Sequence, residues 1–525
     1  MRAREQETTV PFSLRIYDLG LRLNRLIRQH EGVWLVSVLL LFAAVTLYRA
    51  YVAPLWFDEI FTLKISSLPS LSSMLQAMPA DGQPPMQYIL TRVALAFPGE
   101  RELILRSPES AAFVLAGLLT FIIARRRTSA VGALFAATLL MGAWIVQFQS
   151  FCARPYSLLL AETAFTFACW QVAANRDKGR ALPLIGVSAG MAAAILTHHF
   201  GVIHVGCFLL AGEAARALAR SRFDLAMFAS VLAGLSPLPF TMRLASASKA
   251  VMGDAVAHSA IFWAKPKIGD LGAYANLTAT PLLLLAFAAV ALFVSVRRPL
   301  RVQNAIPIWE WAAVLALCLL LPAVLVLTYF KTGYFVARYA ISCSLGLALL
   351  CAWAPQSGAD IQSKWSAARS LALTGYLFGF CVYGLLIVCI RPAWNMPADH
   401  HGVSPLLSNV DTTLPIVVAN ADDFAQGWLY SSGQMRRRLV YLTDVNYAVK
   451  QRGFLGELSL YADRAVLGFP LQDYRGFTQQ NHEFLLLASG WADFVWLPKR
   501  FADEGWKLEV KARNGADVLY RVSRP

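Results

Sequence analysis

Charge is what this sequence has least of. Only 15% of its 525 residues are charged, 57% are hydrophobic, and the mean hydropathy is +0.50. A soluble chain is nearer a quarter charged. The shortage excludes a wholly soluble protein and points to a polytopic membrane chain with room for a soluble region. Cysteine is sparse too. There are eight, nearly all in apolar runs, with none beyond Cys389 and no CxxC pair. That excludes a disulfide framework and a cysteine metal site, leaving them as small packing residues. The region after 391 lacks a Gly-rich phosphate loop and metal-ligand spacing. The first 30 residues lack an apolar core followed by a small-residue cleavage site. No cleaved signal peptide is expected, and the first span is expected to act as the anchor.

The net charge of +15 is unevenly placed. From Pro392 onward there are 14 basic and 14 acidic residues, so the whole excess lies before that point. This is the pattern of Lys/Arg-rich cytoplasmic loops, and no nucleic-acid partner is expected.

Apolar runs suited to a hydrocarbon layer of roughly 30 Å fall near 33–52, 108–124, 129–147, 155–174, 182–198, 201–217, 224–243, 276–296, 308–329, 338–354 and 370–390, about eleven spans. The basic stretches Arg125–Arg127, Arg176–Arg180, Ala215–Arg222 and Arg297–Arg301 share one side with the basic N-terminus, 1–32. The positive-inside rule makes that side cytoplasmic. Residues 33–391 then form a transmembrane domain, with outer loops at 53–107 and 244–275. Residues 392–525 form an extracytoplasmic domain. Strand-like runs at 414–420, 438–444, 483–489, 506–512 and 517–523, separated by helical stretches near 422–432, 446–462 and 492–504, predict a small α/β fold there.

The outer loop holds the most unusual feature. "PLWFDEIFT" sets Asp58 and Glu59 where lipid should give way to water. Carboxylates at that level are costly unless solvated or paired. Residues 67–78 carry apolar side chains at helical spacing, and Pro84-Pro85 begins a second helical pattern. Two interfacial helices between the first two spans make a platform beside the acids.

Several motifs follow in order: "FDE"; an Asp81-x-x-Pro-Pro-x-x-Tyr88 segment; "RSPES" at the opening of span two; "ARPY" at 153–156; "THHFG" at 197–201; and "ARYA" at 337–340. Together they resemble the GT-C superfamily of membrane glycosyltransferases, on the side of bacterial relatives of protein mannosyltransferases and the lipid A aminoarabinose transferase. The resemblance covers about 33–355. It implies a polytopic α-helical GT-C fold, a polyprenyl-phosphate sugar donor, and inverting transfer with Asp58 as general base. Glu59 matches the second acid of the family pair. Asp81 is a candidate for holding acceptor or a divalent metal, the one cofactor left open. Gln83 stands where many relatives have His, which weakens the metal proposal. Phe151-Cys152 replaces the Gln-Glu often found before "ARPY".

Arg154 and Arg338 are candidates for the donor phosphate, or for snorkelling at the interface. Tyr156 and Tyr339 flank them. His198, at the outer end of span five, is either a satisfied interface residue or a candidate for sugar hydroxyls or a metal. His199 beside it should point elsewhere, because neighbours on a helix diverge. Lys265 lies on the second outer loop, read as a mobile cover for the donor that also carries Lys249, Asp254, His258 and Lys267. Arg49 is read as snorkelling. Glu162, inside span four, is either functional or paired with a neighbouring helix.

The reading is a glycosyltransferase of the bacterial inner membrane, multi-pass, with its site on the periplasmic face and an envelope glycan, glycolipid or protein as acceptor. The alternatives are a transporter of lipid-linked sugar or lipid and a non-catalytic envelope assembly protein. A transporter would more often show internal repeats and broken spans, and neither is visible in the sequence.

Overall fold

The structure, a computed structural model, describes residues 25–252, 264–278, 306–353, 405–408, 413–452, 468–488 and 495–524, with residues 22 and 460. Among them five helices are long and apolar enough to cross a membrane: Glu31–Val52, Arg101–Arg125, Tyr156–Ala174, Gly201–Arg220 and Leu225–Ala250. Two bent helix pairs bring the number to seven if each is one span. Ala181–Thr197 and Cys343–Trp353 are apolar but shorter. The spans expected near 276–296 and 370–390 lie outside the described residues, as do Asp254 and His258.

The helix Ala130–Gly142 is buried at every position. It has no polar face because its neighbours surround it, as expected for the middle of a bundle. Its partners include Phe113, Ala116, Leu349 and Trp353 in one continuous apolar core.

The bends correct the sequence reading, which showed no broken spans. Ala130–Gly142 and Trp144–Ser150 meet at 68°, and Ile308–Cys318 meets Leu320–Lys331 at 48°. The second break has a local cause. Pro322 supplies no N–H, and its ring crowds the carbonyl four residues back, that of Cys318. That carbonyl instead accepts the Tyr274 hydroxyl at 2.7 Å and the Cys343 thiol at 3.3 Å. At the first break Ala143 takes an extended conformation, φ −62° and ψ 130°.

The second span starts earlier than expected, at Arg101 and not near 108. Arg101, Glu102 and Arg106 read as loop charge, yet Arg106 is 1% exposed and paired. Pro108 sits inside this helix and cannot donate to Ile104; the Ser107 hydroxyl takes that carbonyl at 2.8 Å. Between the first two spans are three helices: Phe57–Ser66, Leu71–Asp81 and Pro85–Ala94. The last two were expected. The first was read as loop.

One end of the bundle gathers the basic loops. Glu310, fully buried, accepts from Arg127, from Gln171 Nε2 at 2.9 Å and from Asn175 Nδ2 at 2.7 Å. Arg180 and Arg216 both pair with Asp224. The motif residues collect at the opposite helix ends.

The C-terminal part is a six-stranded sheet in the order β3-β2-β1-β4-β6-β5. The strands are β1 Ile416–Val418, β2 Leu439–Thr443, β3 Leu471–Asp473, β4 Glu483–Ala488, β5 Lys507–Asn514 and β6 Asp517–Ser523. β3, β2, β1 and β4 run parallel; β6 is antiparallel to β4 and to β5. β1 and β2 are buried at every residue, as parallel strands covered on both faces must be. β3 was missed in the sequence because two of its three residues, Gln472 and Asp473, are polar.

Candidate active site

The stretch 53–59 is held almost atom by atom. Trp56 is extended, φ −87° and ψ 173°, and caps the Phe57–Ser66 helix. Glu59 reaches back to accept from Trp56 N–H at 3.2 Å. Its other bonds come from Arg106 Nε at 2.7 Å, Arg106 Nη2 at 2.6 Å and Ala153 N–H at 2.7 Å. Arg106 also donates to the carbonyls of Ala50 at 2.8 Å, Ala53 at 2.6 Å and Pro54 at 3.0 Å. Those carbonyls end the first span and have no helical N–H ahead of them. Glu59 therefore faces the protein interior, and its place is beneath Asp58. Arg106 was within the quoted "RSPES" but was given no role.

Asp58, one residue earlier, points the other way and is 24% exposed. Its Oδ2 lies 3.7 Å from Arg154 Nε and 3.5 Å from Arg338 Nη2. Arg154 is almost wholly buried. Its Nη1 donates to both oxygens of Asp81, at 3.2 and 2.9 Å, and to the Asp58 carbonyl at 3.3 Å. Tyr88 closes this arm by donating to Asp81, so the two ends of the Asp81-x-x-Pro-Pro-x-x-Tyr88 segment meet. On the other arm Arg338 Nε donates to the Tyr156 hydroxyl at 3.0 Å, and its guanidinium lies over the rings of Trp56 and Tyr156. The result is one chain of alternating partners: Tyr88, Asp81, Arg154, Asp58, Arg338, Tyr156.

The helix Ala181–Thr197 ends before the histidines, and His198 is extended. The two rings diverge as expected. His198 packs among Tyr156, Phe200 and Tyr339, with Nδ1 accepting from Phe200 N–H at 3.1 Å. His199 Nε2 lies 2.9 Å from the Gly82 carbonyl, tying the platform to the bundle. Tyr339 stacks on Tyr156, and its carbonyl lies 2.8 Å from His204 Nε2. Lys265 is exposed, and no described contact brings it to Asp58. Its neighbour Ala264 accepts from Phe335 N–H at 2.7 Å, three residues before Arg338. Arg49 lies over the Phe151 ring. Glu162 accepts from the Thr197 hydroxyl at 2.7 Å, the pairing between neighbouring helices.

Trp56 Nε1, Gln83 Oε1 and Arg154 Nε are buried without a hydrogen-bond partner among the described residues. Buried polar atoms normally have partners, and two of these belong to the Asp58 cluster: Arg154 Nε lies 3.7 Å from Asp58 Oδ2, and the Trp56 ring lies under Arg338. Among the described residues no group of three or more His, Cys, Asp or Glu is arranged to hold a metal. Asp81, the acid considered for that role, is already engaged by Arg154 and Tyr88.

The C-terminal region reaches this site. The helix Ala421–Tyr430 packs Phe424 and Ala425 into one cluster with Leu55, Ile60, Phe61 and Ala153. Asp422, in its first turn, is pushed up to about 7 by burial and by the charges of Asp58 and Asp423. It keeps accessible surface of its own. Nothing in the sequence of this helix signalled a link to Asp58.

The family model of dolichyl-phosphate-mannose-protein mannosyltransferases matches residues 82–239. No curated protein matches the sequence. Among solved structures, the chain is similar to ArnT from Cupriavidus metallidurans bound to undecaprenyl phosphate, with a TM-score of 0.54 and 14% identity over 93% of this chain and 97% of that one. The apo form of the same protein gives 0.52 at the same identity and coverage. The fold extends over nearly the whole of both chains. The mannosyltransferase match covers the segment from the platform through span seven. The family match thus covers part of the bundle, and the structural likeness shows that this chain shares the ArnT fold.

Proposed function

We propose that the protein moves a sugar from a polyprenyl-phosphate carrier to an acceptor outside the cytoplasm, with Asp58 as general base. The observation that carries this is the position of Asp58: a partly open carboxylate with two arginines on one oxygen, at 3.7 and 3.5 Å. Asp58 takes the proton of the acceptor hydroxyl as that oxygen attacks the anomeric carbon. The bond from that carbon to the phosphate oxygen breaks, and the carbon inverts. The departing lipid phosphate gains negative charge, which Arg338 and Arg154 stabilise. Both contacts to Asp58 are loose enough for a phosphate to compete for the guanidinium groups. Asp58 then loses an ion-pair partner at the moment it must accept a proton. Glu59 supports this from below as a positioning residue. Tyr156, Tyr339 and His198 form the wall against which the sugar rests. Lys265 is placed to meet the phosphate only if its loop moves inward. The undecaprenyl phosphate bound to the similar ArnT structure supports a donor of this class.

The test is turnover of a polyprenyl-phosphate sugar by the purified protein against Asp58→Asn. The variant is expected to bind donor and fold normally while transfer falls by about 10²–10⁴-fold, the usual contribution of a general base. Full activity in Asp58→Asn would remove it as base. Transport of lipid-linked sugar is the second reading, and the two bent spans are the observation in its favour. Movement of donor across vesicles without any transfer would select it.

A further inference from the structure

The Asp58 turn has one fastening that comes from outside the membrane-embedded part. Each backbone group from 53 to 56 with a described bond is held from within the membrane-embedded part, save one. Arg106 takes the carbonyls of Ala53 and Pro54; Glu59 takes Trp56 N–H; Trp56 carbonyl accepts from Glu59 and Ile60 N–H. The exception is Leu55 N–H, which donates to the Tyr430 hydroxyl at 2.8 Å across 375 positions of chain. The same hydroxyl donates to Glu102 Oε1 at 2.8 Å. Arg101 lies over the Tyr430 ring and pairs with Glu102 at 2.8 Å. Leu55 is fully buried, so its N–H has no water to turn to. Burial and Glu102 both hold Tyr430 in its protonated form, able to donate.

The rest of the contact is apolar and cationic. Phe424 and Ala425 share a core with Leu55, Ile60, Phe61 and Leu105. Lys64, on the helix that starts with Phe57 and Asp58, sits over the Trp428 ring at 4.4 Å.

We infer that Tyr430 is a positioning residue through which the C-terminal domain sets the place of Asp58, so that transfer requires this domain docked on the platform. The argument rests on the reading of Asp58 as base. It adds a role for a domain that otherwise only covers the site. The reason is geometric: Leu55 is three residues from Asp58, and the intervening turn has no slack. Misplacing a reacting group by about 1 Å can lower a rate by on the order of 10²-fold.

The test uses the full-length protein in detergent or nanodiscs. Tyr430→Phe keeps the ring and removes the hydroxyl. It is expected to lower kcat per folded molecule about tenfold with the KM for the lipid donor within twofold. Trp428→Leu weakens the packing of the same helix without touching the Leu55 bond. It is expected to lower the melting temperature while kcat per folded molecule holds. A Tyr430→Phe kcat equal to the native value, or a loss matched by Trp428→Leu, would reduce Tyr430 to packing. Hydrogen exchange gives a readout independent of activity: amides 55–58 should exchange faster in Tyr430→Phe, with the distant 130–142 helix unchanged. Unchanged exchange at 55–58 would overturn the inference even if no donor were ever found. Loss of all native turnover would instead sink the parent reading.

Discussion

Replace Arg106 by Leu and the fold should register it more than any other single change near the site. The guanidinium and the Glu59 carboxylate are 1% and 0% exposed and 2.6 Å apart. Glu59 would keep two neutral N–H donors, from Trp56 and Ala153, and would remain charged with no cation. Removing one partner of a buried ion pair costs about 3–5 kcal/mol. The carbonyls of Ala50, Ala53 and Pro54 would lose their donor too, so the upper end of that range is expected. Glu59→Gln is gentler. Arg106 is left charged beside a neutral amide but keeps its three carbonyls, so the lower end of that same range of about 3–5 kcal/mol is expected. The order Arg106→Leu worse than Glu59→Gln is thus the structural signature. A double variant should cost less than the sum, by a coupling of roughly 0.5–3 kcal/mol. Thermal unfolding of the detergent-solubilised protein measures all three. Equal melting temperatures for native and Arg106→Leu, or strictly additive losses, would refute the buried pair and with it the account of how the Asp58 turn is fixed.

Other outcomes follow from the same geometry. Arg338→Ala should weaken binding of the lipid donor and lower turnover, whereas Asp81→Asn should lower turnover by freeing Arg154 with less effect on donor affinity; binding isotherms and initial rates separate the two. Asp422 is held near 7 in the fold against an ordinary carboxyl value of 3.8, so the folded state retains its proton where the unfolded chain has lost it. Its charge therefore costs stability as pH rises from about 4 to 7, and Asp422→Asn should melt like the native protein at pH 4 but higher at pH 7. A chelator should leave turnover unchanged, since Asp81 is already committed to Arg154 and Tyr88; loss of activity restored by a divalent ion would reverse that.

The fold was readable where its signal is periodic. Long apolar runs gave the five to seven spans seen among the described residues, and short apolar runs gave five of the six strands. What failed was charge read as a mark of exposure. Arg101, Glu102 and Arg106 fell within the outer loop expected at 53–107, yet Arg106 is buried by the carbonyls it satisfies and by Glu59. Arg127 was read only as part of a basic cytoplasmic loop and is bonded to buried Glu310. Such residues come together only across 47 and 183 positions of chain, so no local pattern announces them. The candidate site was legible in its members and not in its wiring. Asp58, Asp81, Arg154 and Arg338 were named from short motifs, but no motif says that Asp81 and Asp58 share one arginine. Tyr430 and Asp422 lie in a region with no motif at all.

That wiring suggests why two arginines and two acids are needed where one of each would bind a phosphate. On the proposed reaction the site begins with Asp58 and Asp81 charged against Arg154 and Arg338, plus one negative charge on the bound phosphodiester. At the end Asp58 has taken a proton, and the freed phosphate monoester carries up to one charge more. The total is unchanged; a single negative charge has moved from Asp58 to the phosphate. Arginines already in place for the first position need turn only slightly to serve the second. A charge displaced within a fixed cationic frame costs little reorganisation in a low-dielectric setting. Asp81 makes this possible by anchoring Arg154 from behind, so that loosening of the Asp58 contact does not release the cation.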